Sequence, residues 1–495
     1  MRLARLLPRI LIAALLAAGP TACHRGDDGG IHVAVIGDPA SPFETGPRLS
    51  PAAQLIRGAT SEGLVAFDEE GRVIPALADR WIVTDDGLSY IFRLRDGAFG
   101  SGIGTVPAAP ASQARTALLQ SLAALRNTPL ALDLAAIDEV RAMAGRVVEI
   151  RLSHPEPDLL LLLAQPELGL RRAHVESPMT LRRSGNLAIL AALPPEKRGL
   201  PAVEDWASRN QPVRLSAMPA ADALRAFAAG RADVVLGGDF ADLPRISRLA
   251  LGRSRPRFDA VTGLFGLQVA SAQGLLAVPA NRQALAEAID RDAIGAALGI
   301  AGWVATTRIV PPGAEGDSGQ VDERWPGMPI AARQADAAAA IAAWLRSHHE
   351  PARVRIALPQ GPGADRLFAR LQADFAAIGV TADRVAAGAP ADLRLLDIVA
   401  RRGRPGWYLN QLSCAAGRGA CSELADATAQ RAAAATDPAT AADLWSQAEA
   451  TLTQANTFLP IGQPVRWSLA AGESPGFVAN RWAIHPLIRL AASSN

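Results

Sequence analysis

The chain has 495 residues, of which 49% are hydrophobic and 20% charged, and its formal net charge is +2. This length allows two or three domains with a large core, and the composition is that of a soluble globular protein. The near balance of charge gives no sign of the clustered basic face that nucleic-acid binding requires, so nucleic acid is not an expected partner.

The first residues have the organisation of a secretory signal. Met1–Arg9 carries three arginines, Ile10–Ala18 is apolar, and small residues follow. This order of a basic, an apolar and a small-residue region is typical of a cleaved signal peptide. The apolar run is too short to span a bilayer. We therefore predict that residues 1–22 are a signal peptide and that the protein is exported.

The residue after this segment is a cysteine. Thr21-Ala22-Cys23 resembles a bacterial lipobox, which implies that Cys23 becomes the lipidated first residue of the mature protein. Pro20 stands where such motifs usually place leucine, so a plain cleaved signal is the alternative. The polar residues of 23–30 are expected to act as a tether.

The stretch Glu62–Gly100 has the pattern of a β-meander. Short apolar runs are separated by the turn pairs Glu70-Gly71, Asp86-Gly87 and Asp96-Gly97. Gly accepts positive φ without strain, so such pairs between apolar residues predict hairpins. Ile74–Ala78 contains a proline and is predicted to be a tight connection.

Other segments alternate between helix and strand patterns. Ile31–Ile36 predicts a strand, and Ala221–Gly238 a helix followed by a strand. Pro279–Ile294 predicts one helix. From Ala335 to Val399 helices and strands alternate, which indicates an α/β lobe, and Ala439–Ala455 predicts a long helix.

Three of these segments together resemble one family. The runs EGLVAFDEEGRVIPALADRW from Glu62, NRQALAEAIDR from Asn281 and VPPG from Val310 are similar to motifs of the family 5 extracellular solute-binding proteins. These are the lipoprotein or periplasmic receptors of ABC importers for oligopeptides, dipeptides, nickel complexes and related cargo. The resemblance implies an α/β, two-lobed periplasmic-binding-protein-like fold of type II. It further implies an extra β-rich subdomain and mixed sheets joined by a hinge.

The resemblance also implies a domain division, with hinges near Arg257 and Pro464. Lobe I is expected to be discontinuous, with a β-rich subdomain inserted into it, and lobe II is expected to be continuous. The expected ranges are 31–58, 160–258 and 464–495 for lobe I, 59–159 for the subdomain and 259–463 for lobe II.

The two remaining cysteines lie close together in sequence. Six residues separate Cys414 from Cys421. In an oxidising compartment this spacing predicts a local disulfide. A metal-binding pair is the alternative, although no histidine or further cysteine lies near in sequence.

Motifs for catalysis are missing from the sequence. There is no Gly-rich phosphate loop, no His-Glu-x-x-His and no nucleophile elbow, and the seven histidines are scattered. We therefore expect no enzymatic activity, no cofactor and no metal site.

The segment Arg401–Cys421 is the strongest candidate for a ligand-facing loop. It follows a predicted strand, is rich in glycine and polar residues, and carries the adjacent aromatic residues Trp407 and Tyr408. Aromatic platforms with a few polar groups are typical of small-molecule clefts. The alternative is that both aromatic side chains belong to the core of lobe II.

In the resemblance, this segment falls where peptide receptors carry an aspartate that holds the amino terminus of the peptide. Here Asn410 and Gln411 are neutral and cannot supply that charge-assisted contact. Arg404, with Arg401 and Arg402, favours an acidic or neutral ligand instead. Three further aromatic residues are weaker cleft candidates: Phe265, Trp303 and Trp467.

The family resemblance implies a monomeric substrate-binding lipoprotein of an ABC importer. It would capture a peptide or peptide-like solute and deliver it to a membrane permease and its ATPase. It would lie in the bacterial periplasm and touch the membrane through its lipid anchor alone. The alternative is a diverged, non-transporting envelope lipoprotein with a structural or interaction role. The absent aspartate favours that alternative, as does Ser177-Pro178-Met179, where the family usually has Gly-Pro-Tyr.

Overall fold

A computed structural model describes residues 29–96, 110–170, 177–247, 255–472 and 476–492. The predicted signal segment 1–22 and Cys23 lie outside these ranges. Within them, no helix combines the length and the hydrophobicity that crossing a bilayer requires.

The described ranges contain eighteen strands. In chain order they are β1 Ile31–Ile36, β2 Val65–Phe67, β3 Val73–Pro75, β4 Ala78–Val83, β5 Ser89–Leu94, β6 Ile137–Ala142, β7 Val147–Leu152, β8 Met179–Ser184, β9 Leu187–Ala192, β10 Val213–Met218, β11 Val234–Asp239, β12 Arg257–Asp259, β13 Gly263–Val269, β14 Arg353–Leu358, β15 Thr381–Ala386, β16 Leu393–Val399, β17 Phe458–Gly462 and β18 Arg466–Ala470.

The same ranges contain fourteen α-helices. In chain order they are α1 Pro51–Thr60, α2 Pro110–Leu125, α3 Pro129–Asp133, α4 Leu159–Leu163, α5 Ala220–Ala228, α6 Leu243–Ile246, α7 Pro279–Ala288, α8 Arg291–Leu298, α9 Ile330–Ser347, α10 Pro362–Ala377, α11 Pro405–Leu412, α12 Glu423–Ala434, α13 Pro438–Ala455 and α14 Leu487–Leu490.

A seven-stranded mixed sheet is built from both ends of the chain. Its order is β12-β18-β11-β1-β10-β9-β8, and β1 runs parallel to both β10 and β11. Val33, Ala34 and Val35 of β1 are almost fully buried, because apolar side chains pack against both faces of this central strand. The first strand predicted from the sequence is therefore confirmed, and it lies at the centre of the sheet.

A five-stranded mixed sheet forms a second body. Its order is β15-β14-β16-β13-β17, with β14 parallel to β15 and β16. Every residue of β13 is buried, and helices α7 to α10 contribute side chains to the same core. The alternation of helix and strand predicted for this part of the chain is confirmed.

The predicted meander forms a separate antiparallel sheet with the order β4-β5-β7-β6. Gly87 occupies the turn between β4 and β5 with positive φ, and Gly71 does the same between β2 and β3, which form a separate two-stranded sheet, as the Asp-Gly and Glu-Gly pairs predicted. The prediction that Ile74–Ala78 is only a connection is wrong for its first residues. Val73–Pro75 is a strand paired with β2, because the Asp68 carboxylate accepts backbone N–H groups in the turn and reverses the chain there.

The single helix predicted for Pro279–Ile294 is two helices, α7 and α8. Asp290 interrupts it, since its carboxylate accepts the Ala293 N–H at 3.0 Å and caps α8. The next residue, Arg291, is buried and donates to the carbonyls of Thr306 and Pro460, at 3.2 and 2.9 Å. The Ile-Asp-Arg motif therefore ties α8 to the strand that leads out of the five-stranded sheet.

The chain passes between the two large sheets twice. The first passage joins β12 to β13, and the second joins β17 to β18. Both connections are only three residues long. The five-stranded body is therefore attached to the seven-stranded body by two short segments that are distant in sequence but adjacent in space, since the Gly263 N–H donates to the Gln463 side chain at 3.0 Å. The predicted disulfide between Cys414 and Cys421 is present in the five-stranded body.

Candidate ligand-binding cavity

A cavity of about 1410 Å³ lies between the seven-stranded and five-stranded sheets. Val35 and the stretch Leu236–Phe240 line it from β1 and β11, and Leu395 and Asp397–Arg401 line it from β16. These residues lie at the carboxyl ends of parallel strands. Open α/β sheets commonly bind ligands at that edge, because the strand ends and the loops after them face a crevice.

The wall of the cavity is mainly apolar and aromatic. Trp467 of β18 is almost fully buried, and its indole N–H donates to the Asp239 carbonyl at 2.7 Å. Gly238 lies against the face of this indole, so closely that a Cβ atom there would overlap the ring. Four further aromatic residues line the cavity: Phe67, Trp206, Phe240 and Trp482.

A charged cluster interrupts the apolar wall. Strands β11, β18 and β12 place Asp239, Arg466 and Asp259 side by side. Arg466 reaches across to β16 and donates to the Asp397 carboxylate at 2.8 Å and to its carbonyl at 3.0 Å. Asp259 accepts the Asn480 N–H at 2.8 Å. The Arg466 guanidinium thus pairs with Asp397 on the opposite side of the cavity and interacts with Asp239 and Asp259 only through longer-range electrostatics.

Asp239 is the carboxylate of this cluster that the protein compensates least. Its Oδ1 accepts the Ala241 N–H at 2.8 Å, and among the described residues it has no ion pair within salt-bridge distance. Burial, followed by the nearby Asp397 carboxylate, raises the pKa of Asp239 to about 6. The folded protein therefore disfavours the ionised form of this side chain.

We expect the variant Asp239→Asn to be more stable than the parent at pH 8. A pKa raised above the unfolded value means that ionisation costs stability, so the parent loses stability as the pH rises from about 4 to 6. The asparagine variant avoids a cost of about 3 kcal/mol at pH 8 and has no such advantage near pH 4. Urea unfolding at both pH values measures this difference. Equal differences at both pH values would contradict the assignment.

Arginines on the segment after β16 contact the other bodies of the molecule. Arg401 donates to both oxygens of Glu167, at 2.8 and 3.0 Å, and to the Gln165 side chain at 2.9 Å. Glu167 and Gln165 follow α4, outside the five-stranded body, and both are buried. The Arg401 pair therefore spans the cleft at the cavity wall.

Two further arginines reach the body that carries the four-stranded sheet. Arg402 pairs with Glu156 and lies 3.6 Å from the Asp133 carboxylate, and all three side chains are buried. Arg404 lies 3.5 Å from Asp158 and also pairs with Glu315 of its own body. We call Arg401, Arg402 and Arg404 the arginine latch. Since each guanidinium faces a carboxylate of the protein, these charges give no support to an acidic ligand.

The segment predicted to be a ligand-facing loop is instead helical. Pro405 occupies the first turn of α11, and the helix packs Trp407 and Tyr408 into a core shared with α12 and α13. Both side chains are only 1% exposed, and neither lines the large cavity. The Tyr408 hydroxyl lies 3.2 Å from the Thr262 hydroxyl. Their placement matches the alternative of core residues.

The polar candidates on α11 also have partners within the protein. Asn410 donates to the Asp133 carboxylate at 3.1 Å, which adds a neutral contact beside the arginine latch. The Gln411 side chain accepts from Arg418 at 2.9 Å. Arg404 lies in the latch and does not line the large cavity.

The three weaker aromatic candidates lie at different depths. Phe265 packs edge-on against Phe240 at 5.0 Å and against Trp303 at 5.8 Å, between ring centroids. Phe265 and Trp303 thus form a layer behind Phe240, away from the cavity wall. Trp467 is the predicted candidate that lines the cavity.

Sequence reasoning missed Asp239, Asp397 and Arg466. They lie 158 and 69 residues apart in sequence, and they meet only because β11 pairs with β18 and Arg466 reaches across the cavity to Asp397 on β16 of the other sheet. One signal was available for Asp239. It follows two glycines at the end of a strand that comes directly after a helix, a position where ligand-contacting residues are common in α/β sheets.

The structure is similar to those of known solute-binding proteins. It matches OppA of Burkholderia pseudomallei with a TM-score of 0.75 and 16% identity, over 94% of this chain and 100% of that chain. It matches the murein tripeptide binding protein MppA of Escherichia coli with a TM-score of 0.76 and 16% identity, over 95% and 99%. NikA of Brucella suis in complex with Fe(III)-EDTA matches with a TM-score of 0.71 and 16% identity, over 93% and 100%.

Sequence comparison gives a shorter match. No protein-family model matches the sequence. Di/tripeptide-binding protein 1 of Pseudomonas aeruginosa (strain UCBPP-PA14) is 36% identical over 100 residues, which cover 19% of this chain and 17% of that relative. The sequence match thus spans about a sixth of the relative, whereas the structural match spans nearly the whole chain. The protein has the two-lobed α/β fold of the family 5 periplasmic peptide- and nickel-binding proteins.

Proposed function

We propose that the protein is the substrate-binding component of an ABC importer and carries a peptide or peptide-like solute in the cavity between its lobes. The observation that carries this proposal is the cavity itself, which both large sheets line and which two short connections allow to open. Two of the similar proteins, a murein tripeptide binding protein and a di/tripeptide-binding protein, support a peptide-like cargo.

The proposed role is binding and delivery without catalysis. The solute would be handed to a membrane permease driven by its ATPase, and the protein would act as a monomer in the bacterial periplasm. Cys23 would carry the lipid that holds it at the membrane. The hinge would be formed by the two connections between the sheets, and the ligand would contact Trp467, Phe240 and Asp239.

A thermal-shift screen of the purified protein against randomised dipeptide, tripeptide and pentapeptide pools tests the binding role. A ligand at a hundredfold excess over its Kd stabilises the fold by about 2.7 kcal/mol, which gives a clear shift. We expect one pool to produce such a shift. No shift with any pool, in a protein that unfolds cooperatively, would favour the non-transporting envelope lipoprotein instead.

The variant Trp467→Phe tests whether binding occurs in the cavity. It removes part of the aromatic wall and the N–H that supports the Asp239 carbonyl, so the affinity for the active pool should fall about tenfold, or about 1.4 kcal/mol. Trp344→Phe is the matched control, because Trp344 is also buried but lies on α9 away from the cavity. Calorimetric titration measures the affinity of each variant for the active pool. Equal losses in the two variants would contradict the assignment.

A further inference from the structure

The two lobes contact each other through charged side chains of the protein itself. The arginine latch lies on one short segment after β16, and its partners lie on two different bodies. Glu167 belongs to the segment after α4, next to α1, where it also accepts from Gln54. Glu156 and Asp158 follow the last strand of the four-stranded sheet. The latch therefore joins the five-stranded body to both other parts of the molecule.

The Arg402–Glu156 pair and the Glu167 carboxylate are buried, whereas Arg401 and Arg404 are partly exposed. Glu167 is 6% exposed, Glu156 7% and Arg402 6%. Removing one member of a buried pair leaves its partner desolvated and uncompensated, whereas the same partner in an opened cleft would be hydrated. A substitution in the latch therefore penalises the closed arrangement and leaves the open one nearly unchanged.

The lobes also meet at a second place. The N–H of Gly363, in the first turn of α10, donates to the carbonyl of Ala241 at 2.7 Å, just beyond the end of β11. A Cβ atom on Gly363 would overlap the carbonyl of Phe240. Contacts at this point and at the latch close the cavity from two directions, and the protein supplies all of them.

We propose that Arg401, Arg402 and Arg404 form an ionic latch that holds the cleft closed through contacts within the protein, so that the protein populates a closed state before it takes up a solute and must open to admit it. The uptake of solute rests on the proposed function. The closed state is independent of the proposed function, because the protein's own side chains make the contacts that hold it closed.

Small-angle X-ray scattering of the purified protein, freed of small molecules by unfolding, dialysis and refolding, tests the latch. We expect the parent to be compact and both Glu167→Gln and Arg402→Met to have a larger radius of gyration. Gly363→Val provides an open reference, because its side chain wedges the lobes apart at the second contact. Arg355→Met is the matched control, since the Arg355–Asp392 pair at 2.9 Å lies within the five-stranded body.

The charge-swapped double variant Arg401→Glu with Glu167→Arg should restore the compact form. A parent as expanded as Gly363→Val would overturn the proposal, and so would latch variants as compact as the parent. Glu167→Gln keeps the test decisive if Arg402→Met fails to fold, because it alters one partly exposed pair.

Binding kinetics give a second readout that depends on the proposed function. If the parent is mostly closed, the competent open fraction limits association, and the latch variants should bind the active peptide pool with an association rate constant about tenfold higher. An unchanged rate constant would overturn the proposed gating. If no pool binds, the proposed function fails, and the scattering comparison alone decides for or against the latch.

Discussion

Replacing Gly238 by valine is expected to lower the affinity for the carried solute by about ten- to a hundredfold. Gly238 lies in β11 with its Cα against the face of the Trp467 indole, and a Cβ atom there would overlap several ring atoms. Valine itself suits a strand, so the conflict is with the ring and not with the backbone. The indole must move into the cavity, and such overpacking costs about 1–3 kcal/mol.

Calorimetric titration of the active peptide pool measures the effect of Gly238→Val. Gly388→Val is the matched control, because Gly388 is exposed between β15 and β16 and a Cβ atom there would contact nothing within 4 Å. We expect the control to bind like the parent. Parental affinity in Gly238→Val would show that the solute does not use the wall formed by Trp467.

Replacing Glu449 by alanine is expected to cost about 3–5 kcal/mol of stability. Glu449 of α13 is 1% exposed and pairs with Arg308 at 2.9 Å, while Arg308 also pairs with Asp317 at 2.9 Å. One oxygen of Glu449 also accepts the N–H groups of Ile309 and Val310, at 3.1 and 3.0 Å. Removing the carboxylate leaves a buried guanidinium undercompensated and two backbone donors unpaired.

Urea unfolding measures the loss in Glu449→Ala. Asp443→Ala is the control on the same helix, because the Asp443 side chain is exposed and its carboxylate accepts from the Gln320 amide at 2.6 Å. Its loss should stay below about 1 kcal/mol. A similar loss in both variants would contradict the view that Glu449 anchors the segment leading into the Pro-Pro-Gly turn.

Local sequence signals predicted the parts of the fold that depend on local chemistry. Asp-Gly and Glu-Gly pairs mark the meander turns because glycine alone adopts positive φ there at little cost. Ser50 is a preferred N-cap residue and Pro51 suits the first helical position, and α1 begins there, with the Ser50 hydroxyl accepting the Ala53 N–H at 3.3 Å. These features need few neighbours that are distant in sequence.

The candidate site was harder to predict because its residues meet only through long-range pairing. The glycine, proline and arginine content of Arg401–Cys421 suggested a loop, yet Pro405 suits the first turn of a helix and α13 supplies the apolar partner. The arginines looked free in sequence because Glu156 and Glu167 lie more than 230 residues before them. Trp467 could be predicted as a cleft residue because it follows the expected hinge near Pro464, and that position is readable from the order of the chain.

The most direct test of the central claim is a crystal structure of the protein grown with the active peptide pool. We predict electron density for an extended solute between the wall of β11 and β18, at Trp467 and Asp239, and the wall of β16, at Ile398. Density for the solute at another surface, with this cavity filled by solvent alone, would contradict the proposal that the lobes enclose the cargo.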